Sequence, residues 1–353
     1  MEGSYKEYYE NEVMRIFSEL LDAPAPPGRE EGIAEIVSNK ITEIGYEPWT
    51  DPAGNLIVKI GGANSVESTT VIAAHMDELA MVVTRIESDG RLCIRKSGEL
   101  RPYKIGERTV NILGDGEVLS GVLSLGPGHS PERNKAVSWE EVRVFTGLTP
   151  EQLQAAGVRP GSSVVPARDG RGPVIFGDPE DPFVAAWTFD DRMGVATLLR
   201  LLDWMKSEKF EPHRPIIIAF TVHEEGGCHG AKVLAQRERP EVFIAVDGCP
   251  VTQEAPLRLD GRPGVWSMDS KASYDQVMIS IFCGAAEKIG TSLQPAVYSR
   301  ASSDASAVYE VGAAPRVAFL GHVRENSHGF EIARLSVFEN LLKTLQQFIR
   351  EWR

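Results

Sequence analysis

Between residues 78 and 182 the pattern of this chain leaves an alternating helix and strand rhythm for short β-branched runs broken by Gly, Pro and Asp, and after Pro182 the first rhythm returns. A chain that leaves an α/β pattern and re-enters it builds one α/β unit from two separated segments, with a β-rich unit inserted between them. The expected fold is therefore α/β, with a mostly parallel sheet covered by helices on both faces. Residues 1–77 and 183–353 form it, and residues 78–182 close into a small β-barrel or sandwich. A length of 353 residues suits two such units.

Local signals fill in that outline. Residues 8–21 place Tyr9, Val13, Ile16, Phe17, Leu20 and Leu21 at helical spacing, and Pro24, Pro26, Pro27 and Gly28 end the pattern. A second amphipathic helix carries Ile33, Ile36, Val37, Ile41 and Ile44. Residues 55–60 and 70–74 read as strands, the second ending at His75. Inside the insertion, strand-like stretches fall at 80–86, 116–125, 142–145, 163–165 and 173–176. One helix-like piece at 149–156 can be capped by Thr149. Beyond Pro182, helices are expected at 191–206, 228–236, 303–309 and 335–350, and strands at 215–222, 242–247 and 316–320.

Charge and cysteine usage narrow the function classes. The balance of 37 basic and 50 acidic residues gives a net charge of −13, so a nucleic-acid partner, which needs clustered Lys and Arg, is not expected. No apolar window is long enough to span a membrane. Cys93, Cys228, Cys249 and Cys283 form no CxxC pair, and the start of the sequence is acidic rather than signal-like. The expected location is cytoplasmic.

Five segments concentrate chemistry: HMDE at 75–78, DDR at 190–192, HEEGG at 223–227, DG at 247–248 and NSH at 326–328. His75, Glu224 and Asp247 lie at the ends of expected strands, and ligands bind beyond the carboxyl ends of strands in open α/β sheets. Two divalent cations about 3.5–4 Å apart need nitrogen and carboxylate donors with one carboxylate shared between them. A further carboxylate must stay off the metals to move a proton. Adjacent Glu224 and Glu225 can divide those tasks, and Asp77 is placed to orient the imidazole of His75.

With these motifs in hand, the chain resembles the M42 family of dinuclear metalloaminopeptidases, which includes glutamyl aminopeptidases and the tetrahedral TET peptidases. The matching pieces are HMDE at 75–78, FDDRMG at 189–194, TVHEEGGCHGAK at 221–232, VD at 246–247, SDA at 303–305 and His328. The stretch VRVFTGLTPEQLQAAGVRPGSSVV is similar to the family's inserted domain. Spacing separates this family from its M20 and M28 relatives: Asp190 comes 115 positions after His75, and His328 comes 81 after Asp247. The resemblance implies a zinc-peptidase-like fold and two divalent metal ions per subunit, zinc or cobalt. It implies His75, Asp190, Glu225, Asp247 and His328 as metal ligands, with Asp190 as the bridge. Glu224 is then the general base and Asp77 the residue that orients His75. A cis peptide at Asp190–Asp191, short peptide substrates, and homo-oligomers from dimers to dodecamers assembled through the insertion are also implied.

Plainer roles exist for several of these residues. Alone, His75 reads as a buried hydrogen-bonding histidine. Asp191 and Arg192 read as a helix-start cap with a surface ion pair, and the latter role is preferred for Arg192. Glu224 and Glu225 could form a solvated acidic turn, His229 a helix start, and His129 a turn in the insertion. Cys228 and Cys249 read as packing residues. The chain also departs from the family pattern. His223 stands where the family usually has Gln, GGCHG replaces the common VGLRG, and Glu331 follows His328 by three residues rather than four. These departures bear on substrate preference, as does the stretch 293–303. They motivate one alternative, a related amidohydrolase or deacylase acting on N-acyl amino acids or small amides. A catalytically silent scaffold is the alternative of another class, opposed by the intact set of site residues. A glycosidase, which needs two carboxylates flanking a sugar cleft, fits the histidines poorly.

Overall fold

The structure, a computed structural model, describes residues 5–63, 69–127 and 136–353. In chain order it opens with helices α1 (Lys6–Glu10), α2 (Glu12–Leu20) and α3 (Glu31–Ile44), then strands β1 (Trp49–Thr50), β2 (Leu56–Ile60) and β3 (Thr70–His75). Six strands follow: β4 (Ala80–Ile86), β5 (Leu92–Ser97), β6 (Arg108–Leu113), β7 (Val118–Ser124), β8 (Arg143–Phe145) and β9 (Ser163–Pro166). Short helices α4 (Pro102–Ile105) and α5 (Pro150–Ala155) lie among them. The remainder is β10 (Val174–Phe176), β11 (Phe183–Trp187), α6 (Phe189–Ser207), β12 (Ile216–Thr221), α7 (His229–Glu238), β13 (Val242–Pro250) and β14 (Gly264–Met268). It ends with α8 (Gln276–Lys288), β15 (Gln294–Val297), α9 (Asp304–Glu310), β16 (Arg316–Glu325), β17 (Phe330–Arg334) and α10 (Ser336–Glu351).

The expected α/β sheet is present. Its order is β1-β2-β12-β3-β13-β16-β17-β11-β10, with β14 and β15 branching from β16. The four central strands β12, β3, β13 and β16 run parallel, and antiparallel strands extend both flanks. The apolar runs of the central strands are explained by burial on two sides. Ile72 and Ala74 of β3 join one core with residues of α2, α3, α6, α8 and α10, while Val71 and Ala73 join a second core with residues of α7 and α9. Strand β12 alternates in the same way, with Ile216, Ile218 and Phe220 on one face and Ile217 and Ala219 on the other.

The inserted strands form a closed barrel in the order β4-β5-β8-β7-β6-β9. Its interior is filled by residues such as Met81, Ile94, Val110, Ile112, Leu123 and Val164. Glu78, at the exit from β3, ties the barrel to the α/β unit: its carboxylate accepts from Ala25 N at 3.0 Å, Arg171 Nη1 at 3.0 Å and Trp187 Nε1 at 3.1 Å. Buried carboxylates are retained when paired this fully.

Several local expectations are corrected. The stretch 173–176 pairs with β11 at the edge of the large sheet rather than within the barrel. Residues 8–21 are broken at Asn11, whose Oδ1 accepts from Val13 N at 3.0 Å and starts a new helix. Strands β1, β5, β6, β11, β14, β15 and β17 come in addition to the expected ones. So does α8, whose run Val277, Met278, Ile279, Ile281 and Phe282 carries strand-like residues on a helix capped by Asp275. Thr149 does cap α5, in a reciprocal box with Gln152. His129 lies outside the described residues. Among the described residues, no helix is long and apolar enough to cross a membrane.

Candidate metal centre

Parallel pairing sets three of the chemical segments side by side. His75 ends β3 opposite Thr221 of β12, and Asp247 lies near the end of β13 opposite Gly321 of β16. The Glu224–Glu225 turn follows β12 directly. Asp190 enters from the start of α6, where the Asp190–Asp191 peptide is cis. His328 comes from the tight turn between β16 and β17, at φ +63, with its backbone N–H held by Glu331 Oε1 at 3.2 Å.

These residues form two donor groups with one member in common. His75, Asp190 and Asp247 each place a donor atom within 4.8 Å of the others, and so do Asp190, Glu225 and His328. The two oxygens of Asp190 divide between them. Oδ1 is 3.0 Å from His75 Nε2, and Oδ2 is 3.5 Å from His328 Nε2. The Glu224 carboxylate stands beside them, 3.9 Å from His75 Nε2.

The Asp77 carboxylate accepts the backbone N–H groups of Glu224 at 2.9 Å and Glu225 at 3.0 Å. His75 Nδ1 lies 3.1 Å from the Asp77 backbone carbonyl and 3.6 Å from its carboxylate. The segment at 75–77 thus orients the ring mainly through main chain, while the carboxylate fixes the glutamate turn. Asp191 accepts from Gly194 N at 3.0 Å and His75 N at 3.3 Å, and so caps the helix as expected. Arg192 is structural, but its ion pair is buried rather than at the surface. It donates to the Leu20 and Ala23 carbonyls and lies 3.6 Å from Glu78.

Charge in this cleft is crowded. Burial, with the nearby Asp190 carboxylate, raises Glu225 to about 8 and Asp247 to about 7. Burial also raises Glu224 well above the usual carboxylate range. Burial alone would lower His328, yet the Glu225 and Asp190 carboxylates raise it to about 10. Burial works against ionisation of Asp190, but Arg324, His328 and His75 together hold it well below the ordinary range. Glu225 Oε1 is buried without a hydrogen-bond partner. An orphaned carboxylate oxygen among imidazoles and further carboxylates is the donor chemistry of a divalent cation site with mixed N/O ligation, so the residues fit such a metal.

Arg324 is a member of the site that the motifs do not point to. It is buried, donates through Nη2 to Asp190 Oδ2 and through Nε to Glu331 Oε1 at 2.7 Å, and brings Nη1 to 4.0 Å from Asp247 Oδ1. Glu331 in turn accepts the Asp190 backbone N–H at 3.0 Å. The available signal is an arginine just after the largely apolar run VAFLGHV, seven residues before Glu331. His223 faces away from the site, toward Glu30, and His229 opens α7. From the stretch 293–303, Tyr298, Arg300, Ala301 and Ser302 line the cleft.

Comparison with known proteins supplies the relatives. The family model described as M42 glutamyl aminopeptidase matches residues 54–344. A glutamyl aminopeptidase from Lactococcus lactis subsp. cremoris is 27% identical over 245 residues, covering 66% of this chain and 65% of the relative. A lysyl aminopeptidase from Pyrococcus furiosus is 24% identical over 238 residues, covering 66% of this chain and 65% of the relative. The chain thus spans just under two thirds of the length of these relatives. Among solved structures, a Pyrococcus horikoshii TET1 peptidase described as assembling into a tetrahedron or a large octahedral shell superposes with a TM-score of 0.84. It is 27% identical and covers 96% of this chain and 99% of its own.

Proposed function

The chain belongs to the M42 glutamyl aminopeptidase family, and on that premise we propose that it is a divalent-metal-dependent aminopeptidase removing N-terminal residues from short peptides. The observation that carries this reading is the pair of donor groups sharing Asp190, with the Glu224 carboxylate 3.9 Å from His75 of the first.

In this reading His75, Asp190 and Asp247 would hold one cation, and Asp190, Glu225 and His328 would hold the other, with Asp190 common to both. Zinc and cobalt both suit these donors. When bound, the cations supply Lewis-acid polarisation of the scissile carbonyl and a water acidified to near neutrality. Glu224 takes the proton of the attacking water and returns it to the departing amine. Asp77 keeps Glu224 and Glu225 in register by fixing both of their amides. Arg324 and Glu331 hold Asp190 at its carboxylate and its backbone.

The same proposal assigns residues 1–77 and 183–353 to catalysis and residues 78–182 to assembly of a homo-oligomer, from a dimer up to a dodecamer. Val122 and Phe145, cross-strand partners on the barrel, expose large apolar surface that supports this role. We also place the protein in the cytoplasm, which fits cysteines spaced without pairs.

The test is a panel of free-amino and N-acetylated aminoacyl substrates, assayed with zinc, cobalt or chelator, beside Glu224→Gln. The expected result is turnover of free-amino substrates alone, none with chelator, and a rate about 10²–10⁴-fold lower in Glu224→Gln. Preference for acetylated substrates would assign the deacylase reading instead, and no cleavage with metal bound would assign a silent scaffold.

A further inference from the structure

A third set of donors lies beside the shared centre and uses residues that neither cation group contains. Cys228, Asp304 and Glu224 each bring one donor atom within 4.8 Å of the others. Cys228 is the residue before α7, at φ +57, and its Sγ donates to Glu224 Oε1 at 3.3 Å. Asp304 opens α9 and is 4% exposed.

The two oxygens of Asp304 differ. Thr221 Oγ1 donates to Oδ2 at 2.6 Å, whereas Oδ1 is buried and has no hydrogen-bond partner. A buried carboxylate oxygen left in this way is costly and needs a positive or proton-donating partner. Lys271, the basic residue of the cleft near Cys228, pairs with Glu310 at 3.3 Å. Glu224 and Cys228 both line the open cleft, so a small ion from solvent reaches them. One sulfur with carboxylate oxygens selects a thiophilic divalent cation, such as zinc or cadmium, over magnesium or calcium.

We propose that Cys228, Asp304 and Glu224 form an additional, inhibitory site for a thiophilic divalent cation that takes Glu224 out of proton transfer. On binding, the Cys228 S–H bond breaks, its proton passes to solvent, and a sulfur–metal bond forms. The Glu224 lone pair that would accept the proton of water is then donated to the cation. The site itself stands on geometry alone. Only its inhibitory effect rests on Glu224 being the base.

The experiment titrates the whole 353-residue chain, loaded beforehand with two equivalents of zinc, with cadmium. It follows the ultraviolet thiolate-to-cadmium charge-transfer band, the bound cadmium and zinc by equilibrium dialysis, and the peptidase rate. The expected result is a further equivalent of cadmium bound with the band, while zinc is retained. Cys228→Ser and Cys228→Ala, with folding checked by circular dichroism, lose the band, and Asp304→Asn weakens binding about 10–100-fold, the range for loss of a supporting donor. Inhibition follows the same titration, and in Cys228→Ser, scored against that variant's own starting rate, it moves to at least tenfold higher cadmium. A band that persists in Cys228→Ser, or no further equivalent in the wild type, overturns the site. A band without inhibition overturns its inhibitory role. A protein with no peptidase activity overturns the proposed function, and the cadmium band then decides the site by itself.

Discussion

The Asp77 carboxylate holds the backbone N–H of Glu224 at 2.9 Å and so ties the segment after β3 to the turn after β12. Its second oxygen does the same for Glu225 at 3.0 Å. One fully buried side chain therefore sets the position of both the proposed base and a proposed ligand. Asp77→Asn keeps the shape but exchanges one charged acceptor for an amide that can face a backbone N–H with another N–H. The expected outcome is a 10–100-fold loss of metal affinity or activity, read by calorimetric metal titration alongside kcat.

Arg324 is a buried cation that the chain itself places among Asp190, Asp247 and Glu331. Replacing it with Met leaves the buried Glu331 carboxylate without its cation and Asp190 with only His75 and His328, and breaking a buried pair in this way typically costs about 3–5 kcal/mol. Urea unfolding of Arg324→Met in chelator should show that loss. Added zinc should narrow the gap to wild type, because a bound cation supplies the missing charge and stabilises the folded state by mass action.

Gly248 is small because Arg324 passes over it. A Cβ at Gly248 would lie 1.0 Å from Arg324 Nη1, so Gly248→Ala displaces the guanidinium. Since both substitutions remove the same contacts, the double variant Gly248→Ala with Arg324→Met should be little less stable than Arg324→Met alone. Urea unfolding of the two single variants and the pair measures that coupling, expected at about 0.5–3 kcal/mol.

His322 is buried beside Phe189 and Phe338, and neither ring nitrogen has a hydrogen-bond partner. Burial, aided by the neighbouring Arg324 charge, lowers it to about 3. The unfolded chain, with an ordinary histidine near 6.5, therefore takes up the proton first. The folded state keeps its full advantage above about 6.5 and loses it as pH falls toward about 3. Between about pH 7 and pH 5 this amounts to about 2 kcal/mol. The difference in stability between wild type and His322→Phe should shift by that amount over the interval, in favour of the variant at the lower pH. Denaturant titrations at the two pH values measure it.

What could be read from the sequence divides by range. Central strands β3, β12 and β13 were visible because burial on both faces forces continuous apolar runs. The barrel's β5 and β6 were not. Leu92–Ser97 and Arg108–Leu113 carry charged residues along the strand, and their pairing is decided by partners far away in sequence. The stretch at 173–176 had a strand's residues, but which sheet it joins depends on β11, and local pattern carries no information about that choice.

The chemistry divides in the same way. His75, Asp77, Asp190, Glu224, Glu225, Asp247 and His328 were legible because each lies in a compact motif, and their order and spacing distinguish one family from its relatives. Arg324 lies outside the motifs, and although Glu331, Cys228 and Asp304 fall in or beside them, what these four residues do at the site emerged only from folding. Each bears on the site through contacts across strands and helices that are distant along the chain, as when Arg324 of β16 meets Asp190 134 residues away. Residue type and spacing determine which donors a chain possesses. Only the three-dimensional packing decides which donors face one another, which are left without a partner, and which charge balances them, because those energies depend on separations of a few ångströms and on exclusion from water.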